Sequence, residues 1–516
     1  MSEKQKLWIK ITGIDMDLEV WQLVRLFFNE DSISFINDAS SGFDFTPGPL
    51  LRVSVENSGE WICKADYYSI VEKFETVNNL EEYKKKPQYS VIKHISKQEL
   101  NKPGGKLYKS RKIIAGSCIA KVLSKVTNKK LPYGSLTGIR PVKLAMHCIE
   151  DGLDKQGTID QLVKATGMKK EKAELLYDVA VVEKPFINAD PKSIHLYIGI
   201  PFCTSRCLYC SFTSYPVGRY KSLIPGFLEA LEKEIRNVGQ MVYKNNLKIK
   251  SFYIGGGTPT ALDNSDLNRL LCLVNRSFNL ENVEFSLEAG RPDTITEEKL
   301  NTMKINNITR ISINPQTMNA STLKSIGRNH TPEEIIEKFN MARDSGFQNI
   351  NMDIIAGLPN ENVGMFRYTL EQIEKMAPDS LTVHTMAVKR ASMLHENIEN
   401  YIFTPDKEVE AMIEDARLSA KKMGMRPYYL YRQKNILANL ENIGYAKPGF
   451  ESIYNIHTME EVQSIIAMGA GAISKIVSPD GKKIKRTCNV KEVTQYINRI
   501  NEMLERKRAG VESILG

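Results

Sequence analysis

The sequence predicts an α/β protein built around a partial (β/α)6 barrel. A small N-terminal α/β domain and a helical middle region precede the barrel, and a C-terminal extension follows it. Two observations predict this. First, from residue 194 to 386 six short β-rich runs alternate with amphipathic helical stretches, the pattern of βαβ units on a parallel sheet. Second, the glycine-rich and polar irregularities of this region fall at the ends of those runs, the end that forms the active-site face of parallel α/β barrels.

The elements read in order. Residues 1–95 mix short alternating runs ("KLWIKITGI", "LLRVSVENSGEWICKADYY") with one helical pattern ("EVWQLVRLFFNE"), a small α/β domain. Residues 96–185 form the helical region ("KIIAGSCIAKVLSKV", "TIDQLVKATGMKKEKAELLYDVAVV"). It is entered through a basic segment, Lys84 to Lys112, with ten Lys or Arg and one acid, Glu99. "NKPGGK" makes this segment a boundary or linker with a solvated face. The barrel, 186–395, takes its strands from "IHLYIGI", "IKSFYIGG", "VEFSLE", "TRISIN", "NINMDII" and "SLTVHTM". Residues 396–516 read as a mostly helical substrate or cover domain.

Composition sets limits. A chain of 516 residues exceeds one ordinary domain, and about three are expected. The N-terminus "MSEKQKLWIKITGI" lacks a signal-peptide pattern, and no apolar run is long enough to span a bilayer, so a cytoplasmic location is expected. Eight cysteines in so long a chain argue against a disulfide scaffold. The net charge of +9 suits an anionic ligand, and nucleic acid is not the expected partner.

The chemistry begins at "PFCTSRCLYCSF", which places Cys203, Cys207 and Cys210 within eight residues after the first strand. A closed zinc site wants a further ligand pair, and Cys63, Cys118, Cys148, Cys272 and Cys488 stand singly. A lone catalytic thiol does not need three. Grouped thiolates suit an iron–sulfur cluster, and three ligands leave one iron of a four-iron cluster open. Gly255, Gly256 and Gly257 end the second strand, where the missing Cβ lets backbone approach a ligand. Glu288 ends the third strand, and Gln316 follows the fourth. Asp353 lies within the fifth, and Ala387 follows the sixth. Glu288 and Asp353 are carboxylates costly to bury without a partner.

The C-x3-C-x2-C spacing with "GGGTP" resembles the radical SAM superfamily. "FSLEAGRPD", "ISINPQTM", "IGRNHT", "NMDIIAGLP" and "HTMAVKRAS" narrow the likeness to the oxygen-independent coproporphyrinogen III oxidase group. "LTGIRPVK" and "YRQKNILANLENIGYAKPG" resemble its HemZ-type coproporphyrinogen dehydrogenases. The resemblance implies a [4Fe-4S] cluster on Cys203, Cys207 and Cys210 and S-adenosyl-L-methionine on its open iron, cleaved by one electron to a 5′-deoxyadenosyl radical. Tyr197, Gly256, Gly257 and Glu288 match positions around the first S-adenosylmethionine. Tyr209, Thr258, Gln316, Arg328, Asp353 and Ala387 match positions around a second. The implied reaction is the oxidative decarboxylation of propionates to vinyl groups, with an electron donor such as flavodoxin or ferredoxin. A heme chaperone and a heme-degrading methyltransferase of the same fold are the alternatives. An RNA-modifying radical enzyme using the basic segment is a third.

Two departures stand out. Phe212 replaces a cysteine of the best-understood branch, as it does in the heme-chaperone branch, and Gly199 stands where histidine is frequent. Charge suggests the substrate contacts: Lys389, Arg390, Arg432 and Lys434 are expected to clamp propionates of a tetrapyrrole. "IIAMGAGAIS" is expected either to bring backbone near the cluster or substrate, or to pack a helix. His330, His384 and His395 read as structural rather than as heme ligands.

Overall fold

The computed structural model describes residues 6–36, 46–57, 60–71, 85–103, 107, 110–138, 140–187, 190–481 and 483–515. They form two compact units, Met1–Val181 and Val182–Gly516.

The first unit holds a five-stranded sheet of β1 (Leu7–Thr12), β2 (Ile33–Phe35), β3 (Gly48–Asn57), β4 (Trp61–Val71) and β5 (Tyr89–Ile95), in the order β2-β1-β3-β4-β5. β1 runs parallel to both neighbours, and β3, β4 and β5 are antiparallel. The helix Arg111–Thr127 packs on β4 and β5. It buries Ile114, Cys118 and Val122 at four-residue spacing, the apolar stripe of a sheet-covering helix. This packing joins the stretches 1–95 and 96–181 in one unit. The basic segment is therefore no linker over its described part. β5 lies within it, and Tyr89, Val91, Lys93 and Ile95 are the more buried residues of an alternating strand. The lysine count hides that alternation. Lys93 points inward and donates to Ser117 Oγ at 2.7 Å and to the carbonyl of Lys164 at 2.9 Å. Lys84 and residues 104–106 and 108–109 of the segment lie outside the described residues.

The second unit is organised by one large sheet. Its chain order is β6 (Ser193–Ile200), β7 (Phe202–Cys203), β8 (Tyr215–Pro216), β9 (Lys248–Gly256), β10 (Glu284–Glu288), β11 (Arg310–Ser312), β12 (Ile350–Ala356), β13 (Ser380–Thr385), β14 (Arg426–Tyr431), β15 (Asn442–Ala446), β16 (Ser464–Met468), β17 (Ile473–Val477) and β18 (Ile484–Cys488). All but β7 and β8, which pair with each other, form an open sheet in the order β14-β15-β13-β12-β11-β10-β9-β6-β16-β17-β18. The six strands from β6 to β13 in this order are mutually parallel, as the six runs predict. Helices such as Asn264–Ser277, Glu297–Ile305 and Pro332–Asp344 return the chain between them. Each starts on a side-chain cap: Asp263, Thr296 or Thr331 accepts a backbone N–H of the first turn.

The region 396–516 corrects the expectation of a mostly helical cover domain. It supplies five strands to the same sheet. β15 and β14 extend one edge antiparallel to β13, and β16 adds a seventh parallel strand beside β6. The strands were hidden because they are only five or six residues long and several are buried throughout, so no alternation marks them. "IIAMGAGAIS" is likewise not helical. It is the hairpin of β16 and β17, and a Cβ on Gly469 would stand 2.2 Å from the carbonyl oxygen of Gly199.

Candidate functional site

A cavity of about 380 Å³ opens at the C-terminal ends of the parallel strands. β6 ends at Ile200, and the cysteine loop follows at once. The carbonyls of Ile200 and Phe202 accept the N–H groups of Gly257 and Thr258, each at 2.7 Å, which ties the loop to the glycine run after β9. Leu208 N–H donates to the carbonyl of Ile326 on the far side. The loop thus brings Cys203, Cys207 and Cys210 to one cavity wall. Cys203 and Cys207 are buried and Cys210 partly so. Burial pushes the thiols of Cys203 and Cys210 up. Among the described residues no group of three His, Cys, Asp or Glu side chains is already gathered tightly enough for a metal ion. The fold supplies three soft donors on one loop rather than a preset coordination geometry.

The backbone beside these sulfurs is shaped for close approach. A Cβ on Gly257 would meet Phe202 O at 2.6 Å, Ile200 O at 2.7 Å and Cys203 Sγ at 3.0 Å, so only glycine fits. Gly256 adopts a φ of 101°, which L side chains rarely reach. Thr258 is buried, and its hydroxyl donates to Cys203 Sγ at 3.5 Å.

Glu288 closes β10 and faces the cavity. Tyr253 donates its hydroxyl to Glu288 Oε1 at 2.7 Å. Burial is the larger effect and pushes this carboxyl up to about 7, with the tyrosine bond partly opposing it. Tyr197 is absent from the cavity wall. It stacks on Tyr253 and Tyr454 instead, and its hydroxyl would stand 3.2 Å from a Cβ on Gly256.

The second set lines the same cavity. Gln316 holds a φ of 67°, in the left-handed region, and its buried side-chain oxygen has no hydrogen-bond partner. A strained backbone with an orphan acceptor at a cavity is a functional signature. Arg328 is buried and donates Nη1 to the carbonyls of Asn314 and Gly290. Asp353 accepts from Asn351 Nδ2 at 2.7 Å and lies 3.7 Å from His384 Nε2. Burial raises this carboxyl, but the His384, Asn351 and Thr382 bonds outweigh it and hold it below its ordinary value. Tyr209, Thr258 and Ala387 also line the cavity. His384 faces it too. His330 is buried beside Asp293, and His395 is exposed.

Of the four cations expected to clamp propionates, only Lys389 lines the cavity. Its ammonium sits 5.8 Å over the Phe212 ring. Burial lowers its pKa, and Cys210 opposes that. Arg432 is buried and donates to the carbonyls of Leu440 and Asn439, so it braces a turn instead. Arg390 and Lys434 are exposed and absent from the wall. Spacing after a strand could not tell which successive side chains turn inward.

Sequence reading missed several wall residues. Arg291 is buried and donates Nη1 to Cys207 Sγ at 3.0 Å and Nη2 to Ser205 Oγ at 2.6 Å. Its position after Gly290 at a strand end was the available signal. Tyr429 and Tyr431, whose aromatic faces in "YYLYRQKN" suit a tetrapyrrole, do line the cavity, carried by β14, a strand the sequence did not reveal.

Three thiols on a loop, a glycine cradle against one of them and a buried carboxylate rim fit a radical SAM centre. That superfamily implies a four-iron cluster and S-adenosylmethionine, which the three cysteines and the Gly256–Gly257 backbone would hold. The family model for the radical SAM superfamily matches residues 197–373. The "oxygen-independent coproporphyrinogen-III oxidase-like protein HemZ" of Bacillus subtilis is 43% identical over 387 residues, 74% of this chain and 77% of that one. The "heme chaperone HemW" of the same organism is 30% identical over 309 residues, 59% of this chain and 76% of that one. Among solved structures, the Escherichia coli coproporphyrinogen III oxidase HemN aligns with a TM-score of 0.48 and 23% identity, covering 62% of this chain and 72% of that one. The chain belongs to the radical SAM superfamily and, within it, to the HemZ-type proteins of the oxygen-independent coproporphyrinogen III oxidase group. Among the described residues no helix is long and apolar enough to cross a membrane.

Proposed function

We propose that this chain oxidatively decarboxylates two propionates of coproporphyrinogen III to vinyl groups, giving protoporphyrinogen IX. One observation carries the substrate class: Lys389 lines the cavity beside Cys210 and has no carboxylate partner among the described residues. A cation held there against Phe212 suits a carboxylate of the substrate. The relative at 43% identity, named for likeness to a coproporphyrinogen-III oxidase, supports the same reading.

When bound, the cluster and S-adenosylmethionine supply a radical able to take a hydrogen atom from an unactivated C–H bond. The chain's own residues do the rest. Lys389 holds a propionate so that its β-carbon faces the cysteine side. Glu288 accepts ribose hydroxyls, and the tyrosine stack fixes its orientation. Tyr429 and Tyr431 offer flat surfaces to a tetrapyrrole on the far wall. Overall, each propionate loses a hydrogen atom from its β-carbon, then CO2 and one electron. The bond from the α-carbon to the carboxyl group breaks, a vinyl group remains, and the electron passes to an external acceptor.

Heme carriage is the second reading, favoured by the likeness to the heme chaperone HemW. An anaerobic assay of the cluster-reconstituted protein with coproporphyrinogen III, S-adenosylmethionine and a reductant separates the two. Vinyl product with CO2 supports the proposal. 5′-Deoxyadenosine without decarboxylation, or tight heme binding with no cofactor consumed, defeats it. Lys389→Ala should raise KM for coproporphyrinogen by about tenfold, the cost of one charge-assisted contact, with little change in S-adenosylmethionine affinity.

A further inference from the structure

A buried arginine stands beside the cysteine loop on the cavity wall. Arg291 is 3% exposed, and Nη1 lies 3.0 Å from Cys207 Sγ. Nη2 donates to Ser205 Oγ, and that hydroxyl donates on to the carbonyl of Gly327. Nε faces Asp293 Oδ1 at 3.4 Å. Asp293 is partly exposed and meets only one edge of the guanidinium. A buried cation needs a nearby counter-charge. The edge that lacks a carboxylate is the one aimed at the sulfur.

We infer that Arg291 is a positioning and tuning residue for the cluster. Through Ser205 and Cys207 it fixes two positions of the ligand loop to the loop after β10. It also places a permanent positive charge against one ligand sulfur. Hydrogen bonds to cluster sulfurs and local net charge are main determinants of an iron–sulfur reduction potential. Adding an electron makes the cluster more negative, so a fixed cation beside it favours the reduced state. Arg291 therefore eases delivery of the electron on which the chemistry depends, and Asp293 moderates that effect. The inference rests on the cysteines holding a cluster and is independent of which substrate the enzyme takes.

The test is an EPR-monitored redox titration of the reconstituted full chain. Arg291→Gln should make reduction about tenfold less favourable, a midpoint about 59 mV lower for a one-electron couple. Asp293→Asn should move the midpoint the opposite way by a smaller amount. Arg291→Lys keeps the charge and should stay within about threefold of the unmodified protein. Residues that merely brace the loop would not produce shifts of opposite sign. Unchanged midpoints in loaded Arg291→Gln and Asp293→Asn proteins would overturn the inference. If Arg291→Gln takes up no iron, Arg291→Lys decides: loading with a near-normal midpoint supports the inference, and failure to load overturns the tuning role.

Discussion

The two ends of the parallel sheet in the second unit treat their buried polar groups differently. Towards the N-terminal end, partners come from the protein itself. His195 is bonded through both ring nitrogens, to Ser251 Oγ at 2.7 Å and Gln463 Oε1 at 2.8 Å. Glu284, the first residue of β10, accepts from Ser452 Oγ and the backbone N–H groups of Ile453 and Tyr454 at a helix start. At the C-terminal end, the side-chain oxygens of Gln316 and Asn314 are buried without partners, and Gln316 adds a strained backbone. The difference is one of degree, since Glu288 and Asp353 at the rim are also bonded, to Tyr253 and Asn351, and it is Gln316 and Asn314 that keep unbonded oxygens at the cavity. The same strands carry both ends.

Substitutions at the two ends should therefore fail differently. The largest effect falls at the rim: Cys207→Ala should abolish cluster loading and cut S-adenosylmethionine cleavage roughly 100-fold or more. Cys272→Ala, on a distant helix, should leave both unchanged. Iron analysis and 5′-deoxyadenosine release measure this.

His195→Ala should act on folding instead, at about 2–4 kcal/mol by denaturant unfolding, with S-adenosylmethionine affinity kept. Its pH dependence sharpens the contrast. Burial, reinforced by His457, pushes His195 down to about 3 from 6.5. The unfolded chain binds the proton first, so stability is lost as pH falls from about 6.5 towards 3. The His195→Ala protein should lack that part of the acid sensitivity, as thermal melts across the range will show.

Glu288 provides the rim's pH response. Its carboxyl titrates at about 7, so the charged acceptor form grows as pH rises through neutrality. S-adenosylmethionine affinity should strengthen about fivefold to tenfold from pH 6 to pH 8, and Glu288→Gln should flatten the profile in calorimetric titrations. The raised carboxyl also makes folding stability fall as pH rises from about 4.5 to about 7, the reverse of His195.

The smallest effect is expected at Gln316. Gln316→Ala should weaken S-adenosylmethionine binding severalfold while unfolding free energy stays within about 1 kcal/mol. A large loss of stability there would erase the distinction between the two ends.

The sequence made the six parallel strands and the cysteine loop legible, because βαβ alternation and grouped thiols leave local marks. It also put Glu288 at the end of its strand, Gln316 after the next and Asp353 within the one after, as β10, β11 and β12 have them. β14 to β18 were hidden, being only five or six residues long, and the pairing of β15 with β13 and of β16 with β6 is a long-range event. The aromatic faces of "YYLYRQKN" were legible as tetrapyrrole contacts, but not the strand that brings Tyr429 and Tyr431 to the cavity. The propionate cations show a second limit. Lys389 and Arg390 are neighbours in sequence, yet one faces the cavity and the other solvent, a difference set by backbone direction after β13. Arg291 had only its place after Gly290 at a strand end to mark it, because its contact with Cys207 spans 84 residues.

The most direct test of the account is the ratio of CO2 released to 5′-deoxyadenosine formed when the reconstituted protein turns over coproporphyrinogen III anaerobically. The account predicts one CO2 for each 5′-deoxyadenosine and two for each tetrapyrrole completed. Steady formation of 5′-deoxyadenosine with no CO2 would contradict it.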